Sequence, residues 1–312
     1  MPPKKRPASR ELSRLTVLAA GDDRAAFGAY ALELLASGDR LAREAALKAL
    51  LDRPVAGTRD ALRALYFELN GQSDKLDAGA HLRTAVARLL LAGEDARDVD
   101  IGLRAADTYE KSMGVDSTAN LRSLGLKIIA AADPDLFPYV AAEHIDDSST
   151  FSPEPANTAL QLLAGTGHQL SVYQWIVSGP HDADLVEAAL GLLDEAPAIV
   201  MSRCLAQLTR DAIEKKDETL LTKLAETIVE RALEDAYASL SSILQSGISK
   251  ELYSYLALLL AGTNRPTLLA VLEEQLDQDI LRRPAILDAL RVRTTPEQAA
   301  ILRRWEDGGE AD

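Results

Sequence analysis

The residues of this chain that could do chemistry are four histidines, one cysteine and a set of paired acids. A helical zinc site takes two histidines about one turn apart. His81, His144, His168 and His181 are all spaced more widely, and one cysteine cannot complete a local Cys/His site. Glu143-His144-Ile145-Asp146-Asp147 has the oxygen donors for a divalent ion, but reads more simply as a helix end running into a solvated acidic turn. Cys204 shares a helical stripe with Met201 and Leu208, where a thiol packs rather than attacks. Asp22-Asp23, Asp133/Asp135, Asp182/Asp184 and Glu234-Asp235 fall at expected helix ends. Exposed N–H groups and the helix dipole favour acids there, so capping accounts for most of them without acid–base catalysis. Phosphate loops, dinucleotide fingerprints and nucleophile elbows have recognisable strings, and none occurs. Gly165-Thr166-Gly167-His168 is a tight turn. The expectation is no catalytic residue, no metal and no cofactor.

Two groups of cations could bind a partner. The chain opens MPPKKRPASR, with Lys4, Lys5, Arg6 and Arg10 and no acid. Near the other end Arg282, Arg283, Arg291, Arg293, Arg303 and Arg304 face only Asp288 and Glu297 in the same stretch. Arginine makes forked contacts with carboxylates and phosphates; it also serves helix C-termini, and the two roles stay equally open here. The aromatic pairs Tyr173/Trp175 and Tyr253/Tyr255 are of a type enriched at binding hot spots, yet at helical spacing they read first as packing.

The elements that position these residues are helical. Hydrophobic residues make up 47% of the chain but aromatics only 4%, and Ala and Leu dominate, which favours helix over sheet. The net charge is -14, which disfavours sustained phosphate contact. One cysteine fits a reducing compartment, and no apolar run approaches the roughly 20 residues of a membrane span. A cytoplasmic protein is expected. Asp39, Asp133, Ser152, Asp182 and Asp217 sit where N-caps belong, and Thr295-Pro296-Glu297-Gln298 is a capping box. The segment 143–158 collects Asp, Ser and two prolines, and a hinge is expected at 146–153. The first ten residues, rich in proline and poor in apolar surface, predict a non-helical, disordered basic tail. A helical body over 11–306 and a disordered acidic tail at 307–312 complete the organisation.

The string Ala-Leu-x-(Ala or Leu)-Leu begins at residues 31, 46, 61, 159 and 189. The first three starts are one helix plus its turn apart, and the last two one helical hairpin apart. Small and large residues then alternate along an inner face, and each hairpin buries that face against the next. Gly38 to Leu50, with Asp39, Arg43, Ala45, Ala46, Ala49 and Leu50, resembles the second helix of a HEAT repeat. The same register at Asp182 keeps Ala188, Ala189 and Leu193 but puts Val186 in place of the Arg. The resemblance implies an all-α solenoid of stacked antiparallel hairpins, in which the Asp and Arg tie neighbouring repeats together. It also implies a non-enzymatic scaffold or adaptor for a protein partner, as a subunit of a larger assembly. The same family includes DNA glycosylase-like proteins and bilin lyase or isomerase enzymes, which are the alternatives.

Overall fold

The computed structural model describes residues 7–307 except 94, 113, 114, 150, 180, 194, 293 and 294. The chain is all-α, and its contacts divide it into two units that meet at His168 and Gln169. In the first unit the elements run α1 (Pro7–Ala20), α2 (Arg24–Ala36), α3 (Arg40–Asp52), α4 (Arg59–Gly71), the single turn α5 (Ser73–Leu76), α6 (His81–Leu90) and α7 (Val99–Ala106). A ribbon of β1 (Lys111–Ser112) and β2 (Val115–Asp116) follows, then α8 (Ala119–Ala132), α9 (Phe137–His144) and α10 (Ala156–Gly165). The second unit holds α11 (Gln169–Ser178), α12 (Ala183–Gly191), α13 (Ala198–Lys215), α14 (Glu218–Glu230) and α15 (Tyr237–Gln245). It closes with α16 (Lys250–Gly262), α17 (Pro266–Gln278), α18 (Arg283–Val292) and α19 (Pro296–Asp307).

The helices start where capping chemistry places them. Asp39 accepts from the Leu41 and Ala42 amides at 2.8 and 3.2 Å, and Asp217 from Leu220 at 3.0 Å. Thr295 and Gln298 bond reciprocally across the first turn of α19. Ser152 is not the cap of α10: Glu154, two residues on, takes the Thr158 amide at 3.2 Å instead. Helix α1 begins at Pro7, three residues before the expected end of the tail. Proline at the first position lacks only an N–H that has no partner inside a helix anyway.

Within each unit one set of helices repeats the same burial register. In α3 the buried positions include Ala42, Arg43, Ala46, Leu47 and Leu50; in α6, Leu82, Arg83, Val86, Ala87 and Leu90; in α8, Leu121, Arg122, Gly125, Leu126 and Ile129. The second unit repeats it with Leu185, Val186, Ala189, Leu190 and Leu193 of α12 and its end, and with Leu252, Tyr253, Leu256, Ala257 and Leu260 of α16. Helix α3 packs on α6, α6 on α8 and α8 on α10; separately, α12 packs on α14, α14 on α16 and α16 on α18. A shared register lets each helix present the same face to its successor. The Ala-Leu strings starting at 46, 159 and 189 lie on these helices, whereas those at 31 and 61 lie on the partner helices α2 and α4.

Two features depart from the sequence reading. The ribbon pairs Lys111 with Asp116 and Ser112 with Val115, and strands of two residues leave no periodicity to read. The segment 146–153 lies wholly inside the first unit and is tied down: Ala156 donates its amide to the Asp147 carbonyl at 3.2 Å, and Ser149 and Ser152 exchange backbone bonds. The division between units falls later, after the Gly165-Thr166-Gly167 turn.

Helices α7 and α8 approach closest at glycines. A Cβ on Gly125 would stand 2.5 Å from the Ala106 nitrogen and 2.7 Å from the Gly102 carbonyl oxygen, both backbone atoms that cannot rotate away. Gly125→Ala therefore forces the helices apart and is expected to cost about 1–3 kcal/mol. The urea midpoint checks this, and an unchanged midpoint would contradict the contact.

Candidate functional site

Three arginines occupy one position of the repeated register in the first unit: Arg43, Arg83 and Arg122. A guanidinium stays charged when buried, so each must be met by acceptors. Arg43 donates to the Leu35 carbonyl at 3.1 Å and to Glu68 at 2.9 and 3.0 Å. Arg83 is enclosed with Asp77, at 3.1 Å, and with Glu110. Asp77 also takes the Leu82 and Arg83 amides at 2.8 and 3.0 Å, so one carboxylate caps α6 and neutralises its arginine.

The arrangement around Arg122 reaches the surface. Its side chain is 1% exposed. It donates to Asp116, to the Thr108 carbonyl at 3.1 Å, to Thr118 at 3.0 Å and to Asp147 at 2.9 Å. These acceptors come from two loops, the ribbon before α8 and the turn after α9. Arg122 therefore joins them. Its guanidinium also lies 4.1 Å from the centre of the Tyr109 ring, and the Tyr109 hydroxyl donates to Asp147 at 2.8 Å. His144 Nδ1 stands 3.4 Å from the same carboxylate oxygen. Burial, with the bond to Asp147, pushes the Tyr109 hydroxyl up to about 12. Burial pushes Asp116 up, but hydrogen bonds from Arg122 and Thr118 outweigh it and hold the carboxyl below its ordinary value. Glu154 is lowered in the same way: burial opposes, and bonds from Thr158, Ser123 and Asn157 prevail.

Around this buried core the surface carries exposed aromatic rings. Tyr109 is 60% and Phe151 78% exposed. Phe151 sits in the turn closed by Ser149 and Ser152, whose base is Asp147. The bonds from Arg122 to Asp116, Thr118 and Asp147 fix the geometry here. Among the described residues, no group of three His, Cys, Asp or Glu side chains could hold a metal ion. Cys204 is buried, and burial alone pushes its thiol up to about 11, the opposite of an activated thiolate.

Most of the C-terminal arginines singled out in the sequence are held by groups near them in the second unit. Lys4, Lys5, Arg6 and Arg293 lie outside the described residues, and Arg10 is exposed on α1. Arg282 donates to the carbonyls of Leu244, Ser246 and Ile248 at 3.1, 3.3 and 2.9 Å, capping the end of α15. Arg283 donates to the Leu276 carbonyl at 3.1 Å and lies over the Trp305 ring. Arg291 pairs with Asp288, Arg304 with Glu273, and Arg303 bonds back to Ala299 within α19. The same use of arginine recurs: Arg231 reaches the Leu190 carbonyl at 3.0 Å and Arg265 that of Val229 at 2.6 Å. Cations at helix C-termini stabilise by about 0.3–1 kcal/mol each. Trp175 and Tyr253 are buried as packing residues, while Tyr255 is exposed.

Sequence reasoning missed Tyr109, Arg122 and Phe151. The signal for Arg122 was its place 39 residues after Arg83, itself 40 after Arg43. No described helix is long and apolar enough to cross a membrane. No family model, curated protein or solved structure matches the chain.

The lowered carboxyls of Asp116 and Glu154 should make the first unit acid-sensitive. A carboxyl lowered in the folded state stabilises fully above its unfolded value and loses that contribution as pH falls through the folded one. Both Asp116 and Glu154 are lowered, so stability should hold near neutrality and fall once pH drops below about 4. Urea midpoints measured along a pH series check this; a midpoint that rose on acidification would contradict it.

Proposed function

We propose that the chain is a non-enzymatic HEAT-like solenoid that serves as a scaffold or adaptor for a protein partner within a larger assembly. The observation that carries this reading is the repeated burial register, with its capping acids and its inter-helix arginines. Arg43 links the end of α2 to Glu68 of α4, Arg83 links α6 to Glu110 beyond α7, and Arg122 links α8 to Asp147 beyond α9. Ties of this kind between successive helices support the HEAT-like reading. Quasi-repeating stacks of this kind make extended binding surfaces.

The surface chemistry supports a protein partner over nucleic acid. Arginines 282 and 283 are committed to carbonyl groups, which removes them from phosphate contact, and the net charge is -14. Exposed aromatics on a fixed base, such as Tyr109 and Phe151, are what hot spots use.

The test is affinity capture from the native source with the full chain as bait, with and without nuclease. A defined protein recovered in near-stoichiometric amount and resistant to nuclease is the expected result. Recovery that disappears on nuclease treatment would replace this reading with the nucleic-acid alternative.

A further inference from the structure

Five residues beyond each buried arginine of the first unit stands an exposed cation: Lys48 after Arg43, Arg88 after Arg83 and Lys127 after Arg122. The three helices that carry them run the same way. Arg43 and Arg83 both reach the C-terminal end of α4, at Glu68 (2.9 Å) and Asn70 (3.5 Å). Glu110 takes the Gly79 amide at 3.0 Å before α6, and donates its own amide to Thr118 at 3.1 Å before α8. The exposed and buried positions of 41–50 and 81–90 coincide one for one, and α8 keeps Asn120 and Lys127 exposed in the same register. Helix α3 packs on α6 and α6 on α8. The three cations therefore form one row, one side chain per helix, with neighbouring helices about 8–10 Å apart.

The row is free and positive. Among the described residues, none of the three cations makes an ion pair or a hydrogen bond. Helices α6 and α8 contain no Asp or Glu; on α3, Glu44 is held by Arg40 at 2.8 Å and Asp52 is the last residue. Ala45, Ala85 and Leu124, three residues before each cation, are half-buried against the core, so a strip of apolar surface runs alongside. Helix stacking does not itself demand cations here. In the second unit the same register position carries Gly191 and Leu258.

We propose that Lys48, Arg88 and Lys127 receive an extended acidic segment of the protein partner, with its carboxylates three residues apart; this rests on the scaffold reading. A segment in the polyproline conformation rises about 3.1 Å per residue, so every third side chain meets the next helix. The carboxylates pair with the cations, and the small residues between them lie over Ala45, Ala85 and Leu124. A segment that is already extended forfeits little entropy on binding. A polynucleotide fits less well, because three cations neutralise only three phosphates. A longer polyanion would also meet the repulsion of a chain whose net charge is -14.

The test is fluorescence anisotropy of a labelled peptide of five Glu-Pro-Ala repeats, titrated with the full chain at low salt. Saturable binding is expected, and it should weaken as salt screens the pairs. Lys48→Gln, Arg88→Gln and Lys127→Gln should each weaken it about two- to fivefold, and the triple variant at least about tenfold. Melting temperatures should not change, because all three side chains are exposed. Replacing Arg24, Lys75 and Lys111, exposed cations on other elements, with glutamine alters the net charge equally and should leave binding within about twofold. A peptide of the same composition with its glutamates consecutive should bind at least about threefold more weakly. Four results would each overturn the proposal: no saturable binding up to about 1 mM, equal binding by the triple variant, equal loss in the control variant, or equal binding of the consecutive peptide. Tighter binding of an oligothymidine of equal length, lost in the triple variant, would overturn it in favour of phosphates. Nuclease-resistant capture of a protein alongside any of these leaves the scaffold reading in place, whereas capture lost to nuclease removes that reading and this proposal with it.

Discussion

A charged guanidinium with almost no access to water dictates the local structure around it. Arg122 offers five donors in a plane, and leaving any of them unpaired in the interior costs free energy. The chain meets the demand by bringing the loop before α8 and the loop after α9 to the same spot. Asp116, Thr108 and Thr118 come from one side, and Asp147 from the other. The ribbon, the turn at Ser149–Ser152 and the posture of Tyr109 all follow from satisfying that one side chain. Replacing a buried ion pair with apolar residues is often neutral for stability, so the worth of Arg122 lies in fixing the position of two loops.

The same register position has a different solution in the second unit. Val186 and Tyr253 stand where the first unit places arginines; here Lys223 of α14 pairs with Asp184 and Glu187 of α12, and Glu218 and Glu226 of α14 accept from Ser249 and Tyr255. Arginines reappear at the edges as caps on C-terminal carbonyls, with Arg231, Arg265 and Arg282 each serving an earlier helix. Much of the basic charge is thereby absorbed inside the fold.

Helix content and most caps were legible in the sequence because both are local. Asp39, Asp217 and the Thr295–Gln298 box needed only a few residues of context. Asp39 and Arg43 could be singled out because four residues separate them, although Arg43 bonds Glu68 and the Leu35 carbonyl while Asp39 caps α3. Arg83 and Arg122 escaped notice because their preceding acids, Asp77 and Asp116, lie six residues before them. Asp147 was assigned to a solvated turn for a similar reason: its partner is 25 residues away in sequence, and nothing local marks the pair. In the segment 146–153, backbone bonds tie Asp147 to Ala156 and Ser149 to Ser152; Asp, Ser and proline signal a turn without saying what holds it. The C-terminal arginines show the converse limit, because a local excess of charge does not reveal which carbonyls will take it up.

The central claim is that Arg122 joins two loops into one rigid edge, and amide hydrogen exchange on Arg122→Met tests it most directly. Methionine keeps the helix and much of the volume but removes every donor. The account predicts that amides at 108–118 and 146–156 lose protection together, about tenfold or more, while α3 and α6 keep theirs. Unchanged protection in both loops, or loss in one alone, would contradict it.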